Sequence, residues 1–145
     1  MNHINQIHSE DVNLLIVDDD ELILRLTCRI FQYKFAQVFS TTRTDTGLSI
    51  IEEQLVPNSI VLSDFQNPIS PYNGDRLALL SETIRLEKNI PFILMSSNFI
   101  GNWSSKDLSW ASVLKEKHKI DGFIGKPFNV SEIQSTILDR YKTIS

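Results

Sequence analysis

Short apolar runs alternate along the chain with longer segments in which apolar residues recur every three or four positions. The first run, residues 14–17, shows no polar alternation, which is typical of a strand buried on both faces. The periodic segments are typical of helices that face a core. The predicted strands cover residues 12–17, 35–40, 59–63, 90–95 and 122–125. The predicted helices cover residues 21–33, 46–55, 75–87, 106–116 and 130–141. Strand and helix therefore alternate five times.

The first predicted helix carries apolar residues at spacings of three, four and seven, which predicts an inward face made of Leu22, Ile23, Leu26, Ile30 and Phe31. The third is expected to bury Leu77, Leu80 and Ile84 and to present its charged residues outward.

This alternation predicts βαβ units, a parallel sheet and right-handed crossovers. Five strands in a small domain favour a doubly wound, flavodoxin-like (βα)5 fold, a single domain with strand order 2-1-3-4-5. We expect residues 1–11 to be a loose polar tail and residues 12–145 to form that domain.

Composition narrows the functional classes. The chain has 145 residues and a net charge of −4, so it lacks the basic surface expected of a protein that binds nucleic acid directly. Its apolar runs are too short to cross a bilayer, and its first ten residues lack the apolar segment of a signal peptide. Cys28 is the single cysteine, which is compatible with a reducing cytoplasm.

Carboxylates follow two of the predicted strands. Asp18, Asp19 and Asp20 end the first strand and Asp64 ends the third, and these strands are neighbours in the order 2-1-3-4-5. Clustered like charges are costly unless a cation neutralises them, and Mg²⁺, or Mn²⁺ in its place, is the expected ion. For Asp20 we favour a different role, the N-cap of the following helix.

Two further polar residues follow strands at the same sheet edge. Ser96 ends the fourth strand and Lys126 follows the fifth. A carboxylate can attack phosphorus to form an acyl phosphate, and the transfer then needs positioning and neutralisation of the phosphoryl oxygens. Asp64 stands alone at its strand end and is the better candidate for the nucleophile.

In these features the chain resembles the receiver domain of two-component response regulators. The resemblance covers residues 13–141 and rests on five motifs in order: LLIVDDD, VLSD, the loop from Pro68 to Gly74, ILMSS and GFIGKPF. It implies that Asp64 accepts a phosphoryl group from a histidine kinase or a His-containing phosphotransfer protein. It also implies Mg²⁺ binding by Asp19 directly, by Asp18 largely through water, by Asp64, and by the backbone carbonyl of Gln66.

The resemblance implies a switch as well. Ser96 and Lys126 would contact the phosphoryl group, and Phe123 would rotate inward when Ser96 moves. The surface of the fourth helix, fifth strand and fifth helix would then bind a downstream partner or a second copy. Such a domain assists its own phosphorylation and hydrolysis but is not an enzyme acting on a separate substrate.

Two alternatives remain open. The loop from Pro68 to Gly74 is longer than is usual for receivers, and Ser97 replaces a smaller residue, so the chain could instead be a phosphorylation-independent docking or dimerisation module. The Asp-x-Asp pattern within Asp18–Asp20 also fits a haloacid-dehalogenase-type phosphohydrolase. The chain is short for that class, however, it has no obvious cap, and no second acidic pair ends a strand near Lys126. Whether the chain is a stand-alone receiver or a part of a longer regulator is likewise left open.

Overall fold

The computed structural model describes residues 9–56, 58–64, 74–96 and 119–125, together with Glu116, Ser131 and Ser135. The strands are β1 (Asn13–Val17), β2 (Gln37–Thr41), β3 (Ser59–Asp64), β4 (Phe92–Ser96) and β5 (Gly122–Gly125). The helices in these ranges are α1 (Glu21–Phe31), α2 (Thr44–Glu53) and α3 (Gly74–Lys88). Every one of these elements was predicted, and each predicted end lies within two residues of the observed one.

The five strands form one parallel sheet of order β2-β1-β3-β4-β5, which confirms the predicted fold class. Val17 pairs with Thr41 of β2 and with Ser63 of β3, so these three strands end at the same level. The order along the sheet reverses beside β1, and the carboxyl ends of β1 and β3 meet there. A ligand site is expected at such a reversal.

The core occupies both faces of the sheet. Leu14 and Ile16 of β1 pack with residues of α1, whereas Leu15 and Val17 pack with residues of α2 and α3. Because successive side chains of a strand point to opposite faces, a strand covered on both sides needs an unbroken apolar run. This explains why β1 shows no polar alternation.

The predicted inward face of α1 was wrong. Phe31 is buried, but the other members of that set are exposed, with exposed fractions of 65% for Leu22, 37% for Ile23, 49% for Leu26 and 42% for Ile30. The helix instead buries Leu24 and Thr27. Thr27 can face the core because its hydroxyl donates a hydrogen bond to the carbonyl oxygen of Ile23 at 2.7 Å. Helical periodicity identified one apolar stripe of α1. The face that contacts the sheet is a different one, made of Leu24, Thr27 and Phe31.

The third helix also departs from the expectation of an outward charged face. Leu77 is buried as predicted and Ile84 is half-buried, but the prediction was wrong for Leu80, which is 38% exposed. Arg85, in contrast, is only 1% exposed. It fits because its guanidinium finds hydrogen-bond acceptors inside the protein.

The ends of the chain are described only in part. Ser9–Asp11 form a short 3-10 helix and Val12 is fully buried, while the division into a tail of residues 1–11 and a domain of residues 12–145 stays a prediction. Glu116, Ser131 and Ser135 are helical, and the rest of the two predicted C-terminal helices lies outside the described residues. Within the described part of the chain, each helix is too short or too polar to cross a membrane.

Candidate functional site

The three consecutive aspartates after β1 occupy three different environments. Asp18 is buried, Asp19 is half-buried and Asp20 is exposed. Asp18 continues the pairing of β1 with β2, since its backbone N–H donates to the carbonyl oxygen of Thr41 at 3.2 Å. Its carboxylate Oδ1 accepts from the backbone N–H of Asp20 at 3.0 Å, which orients the Asp18 side chain at the strand end.

Asp20 is the N-cap of α1, as predicted. It has extended backbone angles, and its carboxylate Oδ1 accepts from the backbone N–H of Ile23 at 3.1 Å. This bond satisfies one of the donors left without a partner in the first helical turn. Asp20 therefore has a structural role.

Asp64 reaches the same place from the neighbouring strand. It is the last residue of β3 and is half-buried. One carboxylate oxygen each from Asp18, Asp19 and Asp64 lie within 4.8 Å of one another. The fold therefore brings Asp64 to two adjacent carboxylates that lie more than forty positions earlier in the sequence.

This donor set fits a hard divalent cation. Ligand oxygens about 2.1 Å from an octahedral Mg²⁺ lie roughly 3.0–4.2 Å apart, so small side-chain rotations would bring these carboxylates into range, with water in the remaining positions. Three carboxylates this close, one of them buried, also repel one another unless a cation is bound. Both the chemistry and the spacing of the cluster are compatible with Mg²⁺.

The other predicted site residues are described less fully. Ser96 is the last residue of β4 and pairs with Gly125 of β5, so its backbone lies at the same sheet edge as Asp64. Phe123 pairs with Leu94 in the middle of β5. Gln66 and Lys126 lie outside the described residues. Their roles, and the side-chain roles of Ser96 and Phe123, stay predictions.

Sequence reasoning missed an ion pair near this edge, at the start of α2. The Nε and Nη2 atoms of Arg43 donate to the two carboxylate oxygens of Asp45 at 3.0 and 2.8 Å. The hydrogen bond from Arg43 holds the pKa of the Asp45 carboxyl below its usual value. The only sequence signal was an Arg two positions before an Asp in a segment rich in candidate N-caps, and this solvent-screened pair does not join the carboxylate cluster.

A comparison with known sequences finds a response regulator. The chain is 26% identical over 124 residues to the two-component response regulator ARR10 of Arabidopsis thaliana. The matched residues make up 86% of this chain and 20% of that protein. The chain thus spans about a fifth of the length of this curated relative. No protein-family model matches the chain.

Solved structures share the fold over nearly the whole chain. FixJ-N has a TM-score of 0.67 and 24% identity, over 92% of this chain and 94% of that one. The beryllofluoride-activated NtrC4 receiver domain dimer has a TM-score of 0.70 and 19% identity, over 92% and 98% of the two chains. A structure named as an adenylate cyclase from Rhodopirellula baltica has a TM-score of 0.69 and 21% identity, over 92% of each chain.

At these identities the structural similarities establish the fold, and the similarity to ARR10 independently supports the resemblance inferred from the motifs. The chain has the fold of a response-regulator receiver domain, with an aspartate cluster at the carboxyl ends of β1 and β3.

Proposed function

We propose that this chain accepts a phosphoryl group on Asp64 from a histidine kinase or a His-containing phosphotransfer protein, in a Mg²⁺-dependent reaction in the cytoplasm. One observation carries the proposal. Asp64 ends the strand next to the one that ends at Asp18 and Asp19, and the three carboxylates converge in a receiver fold.

Asp64 acts as the nucleophile. A carboxylate oxygen of Asp64 attacks the phosphorus, a P–O bond forms, and the P–N bond to the donor histidine breaks. The electron pair of that bond returns to the imidazole nitrogen. Attack of water on the acyl phosphate later releases inorganic phosphate and restores the Asp64 carboxylate.

Asp18 and Asp19, with the backbone carbonyl of Gln66, would hold the cation beside Asp64. A bound Mg²⁺ neutralises charge on the phosphoryl oxygens and on the carboxylates themselves. The hydrogen bond from the backbone N–H of Asp20 holds Asp18 in place for this role. Lys126 and the Ser96 hydroxyl would contact the remaining phosphoryl oxygens.

The output step involves the strands on the other side of Asp64. Ser96 ends β4, and Phe123 lies on the adjacent β5. We propose that Ser96 moves toward the phosphoryl group, that Phe123 rotates inward, and that the surface of the fourth helix, β5 and the fifth helix then binds a downstream protein or a second copy. The chain signals in this way and is not an enzyme with a separate substrate.

The test is phosphorylation by a small donor. With acetyl phosphate and Mg²⁺, intact mass spectrometry should show one added phosphoryl group on the wild type. We expect none on Asp64→Asn, and strongly reduced labelling of Asp19→Asn or after chelation of the metal. Asp20→Asn is the matched control, because it removes a neighbouring charge but keeps an N-cap residue, and it should label like the wild type.

A wild type that gains no phosphoryl group would contradict the proposal and favour the phosphorylation-independent docking module. Turnover of a generic phosphomonoester that requires Asp18 would instead favour the phosphohydrolase.

A further inference from the structure

The outward surface of α1 is apolar. Eight large apolar side chains of the described residues are substantially exposed, and five of them lie on α1 or directly after it. Leu22, Leu26 and Ile30 follow one another at intervals of four, so they line one helix face, and Ile23 and Tyr33 widen and extend it. This stripe turns away from Leu24 and Phe31, which anchor α1 to the sheet.

A concentration of exposed apolar side chains on one helix marks an interaction surface rather than the scattered exposure that is normal for a protein. What covers the surface can be inferred from the charges at its two ends. The N-terminal end of α1 is acidic, with Asp20 and Glu21 exposed, and Glu21 also pairs with Arg25 one turn later. The C-terminal end is basic, with Arg29 and Lys34 exposed.

This charge distribution is complementary to itself in one orientation only. When two copies of α1 lie antiparallel and cross at Leu26, the leucine meets its counterpart and Leu22 lies opposite Ile30. The acidic end of each helix then lies beside the basic end of the other, whereas a parallel arrangement would place like charges together. The opposed helix dipoles favour the same antiparallel orientation.

We infer that the α1 stripe, defined by Leu22, Ile23, Leu26, Ile30 and Tyr33, binds a second copy of this chain in an antiparallel, two-fold symmetric contact. One helix face is smaller than a standard stable interface, so the dissociation constant should lie in roughly the 10 µM–1 mM range. The contact involves none of the three clustered carboxylates. Either proposal can therefore fail without the other, because self-association and phosphoryl transfer are measured separately.

Sedimentation velocity of the full chain at low ionic strength, over a range of concentrations, measures this association. Leu26→Glu should lower the association constant at least about tenfold, because it places two carboxylates at the centre of the contact. Leu86→Glu is the matched control, since Leu86 is similarly exposed but lies on α3. Circular dichroism and thermal unfolding establish that each variant is folded.

A charge-reversal mixture tests the orientation. Glu21→Lys and Arg29→Glu should each weaken self-association at least about fivefold, because each creates two like-charge pairs in its own dimer. An equimolar mixture of the two variants should restore association, since both end pairs are then oppositely charged. Glu87→Lys, an exposed reversal on α3, should associate like the wild type.

A wild type that stays monomeric up to about 1 mM would overturn the inference. So would association that Leu26→Glu leaves unchanged, or a mixture no stronger than its separate components. If the wild type is monomeric but Leu26→Glu blocks phosphotransfer from a histidine-containing donor, the stripe belongs to that donor and not to a second copy.

Discussion

At the scale of single residues, the three adjacent aspartates after β1 differ in burial and in hydrogen bonding, and we assign them separate roles for that reason. Asp18 is buried and held by a backbone N–H, Asp19 is half-buried in the carboxylate cluster, and Asp20 caps α1. The capping role can be separated from the charge, because asparagine caps a helix as well as aspartate does.

We expect Asp20→Ala to lower the free energy of unfolding by about 1 kcal/mol, because the backbone N–H of Ile23 loses its acceptor. Asp20→Asn should leave the free energy nearly unchanged. Urea denaturation followed by circular dichroism measures both. Equal destabilisation by the two substitutions would mean that the negative charge, and not the cap, stabilises the start of α1.

At the scale of secondary-structure elements, Arg85 joins α3 to the segment before β5. Its guanidinium donates to the Ser81 hydroxyl at 2.9 Å, to the carbonyl of Ala78 at 2.8 Å and to that of Lys119 at 3.3 Å. It also lies 4.7 Å from the centre of the Phe92 ring. Burial lowers the pKa of Arg85 to about 10, which still leaves it protonated at neutral pH.

Arg85→Met should lower the free energy of unfolding by about 3 kcal/mol, because methionine fills part of the volume but supplies no hydrogen-bond donor to the buried acceptors. Arg85→Lys should lower the free energy of unfolding by less, since lysine keeps the positive charge and can still donate hydrogen bonds from its ammonium group. Arg25→Met is the control. Arg25 pairs with Glu21 on the surface of α1, and its loss should change stability by less than about 0.5 kcal/mol.

These changes are measured by chemical denaturation at pH 7. A loss at Arg85 no larger than the loss at Arg25 would show that the buried guanidinium contributes nothing net to the packing of α3 against the sheet.

At the scale of the whole molecule, we expect the carboxylate cluster to couple metal binding to stability. The fold holds Asp18, Asp19 and Asp64 close together, whereas the unfolded chain separates Asp64 from the other two. Their repulsion therefore acts mainly against the folded state, and a cation that binds only the folded state stabilises it.

Mg²⁺ at one hundred times its dissociation constant should stabilise the wild type by about 2.7 kcal/mol, seen as a higher unfolding temperature. Asp19→Asn should be at least as stable as the wild type without metal, because one repulsion is removed, but it should gain less from Mg²⁺. Asp20→Asn should respond to Mg²⁺ like the wild type. Equal stabilisation of all three proteins would show that Mg²⁺ binds elsewhere.

Much of the fold and of the site was predictable because local patterns report burial directly. The unbroken apolar runs reflect strands covered on both faces, and the alternation of strands and helices implies a parallel sheet. The strand order then placed Asp64 beside Asp18 and Asp19, and the structure confirms this convergence. The capping role of Asp20 was also predictable, since it depends only on residues within one helical turn.

Sequence alone thus determined the elements, the sheet order and the meeting of the carboxylates, because these follow from local periodicity and a few rules of chain connection. Only the tertiary structure decided which stripe of α1 faces the sheet and that Arg85 is buried. Helical periodicity shows that a helix has an apolar face, but not whether that face lies against the sheet. The Leu22–Ile30 face could therefore be assigned to the outside only from the tertiary structure. A charged residue is likewise expected to be exposed until the fold brings a distant partner to it, here the backbone carbonyl of Lys119.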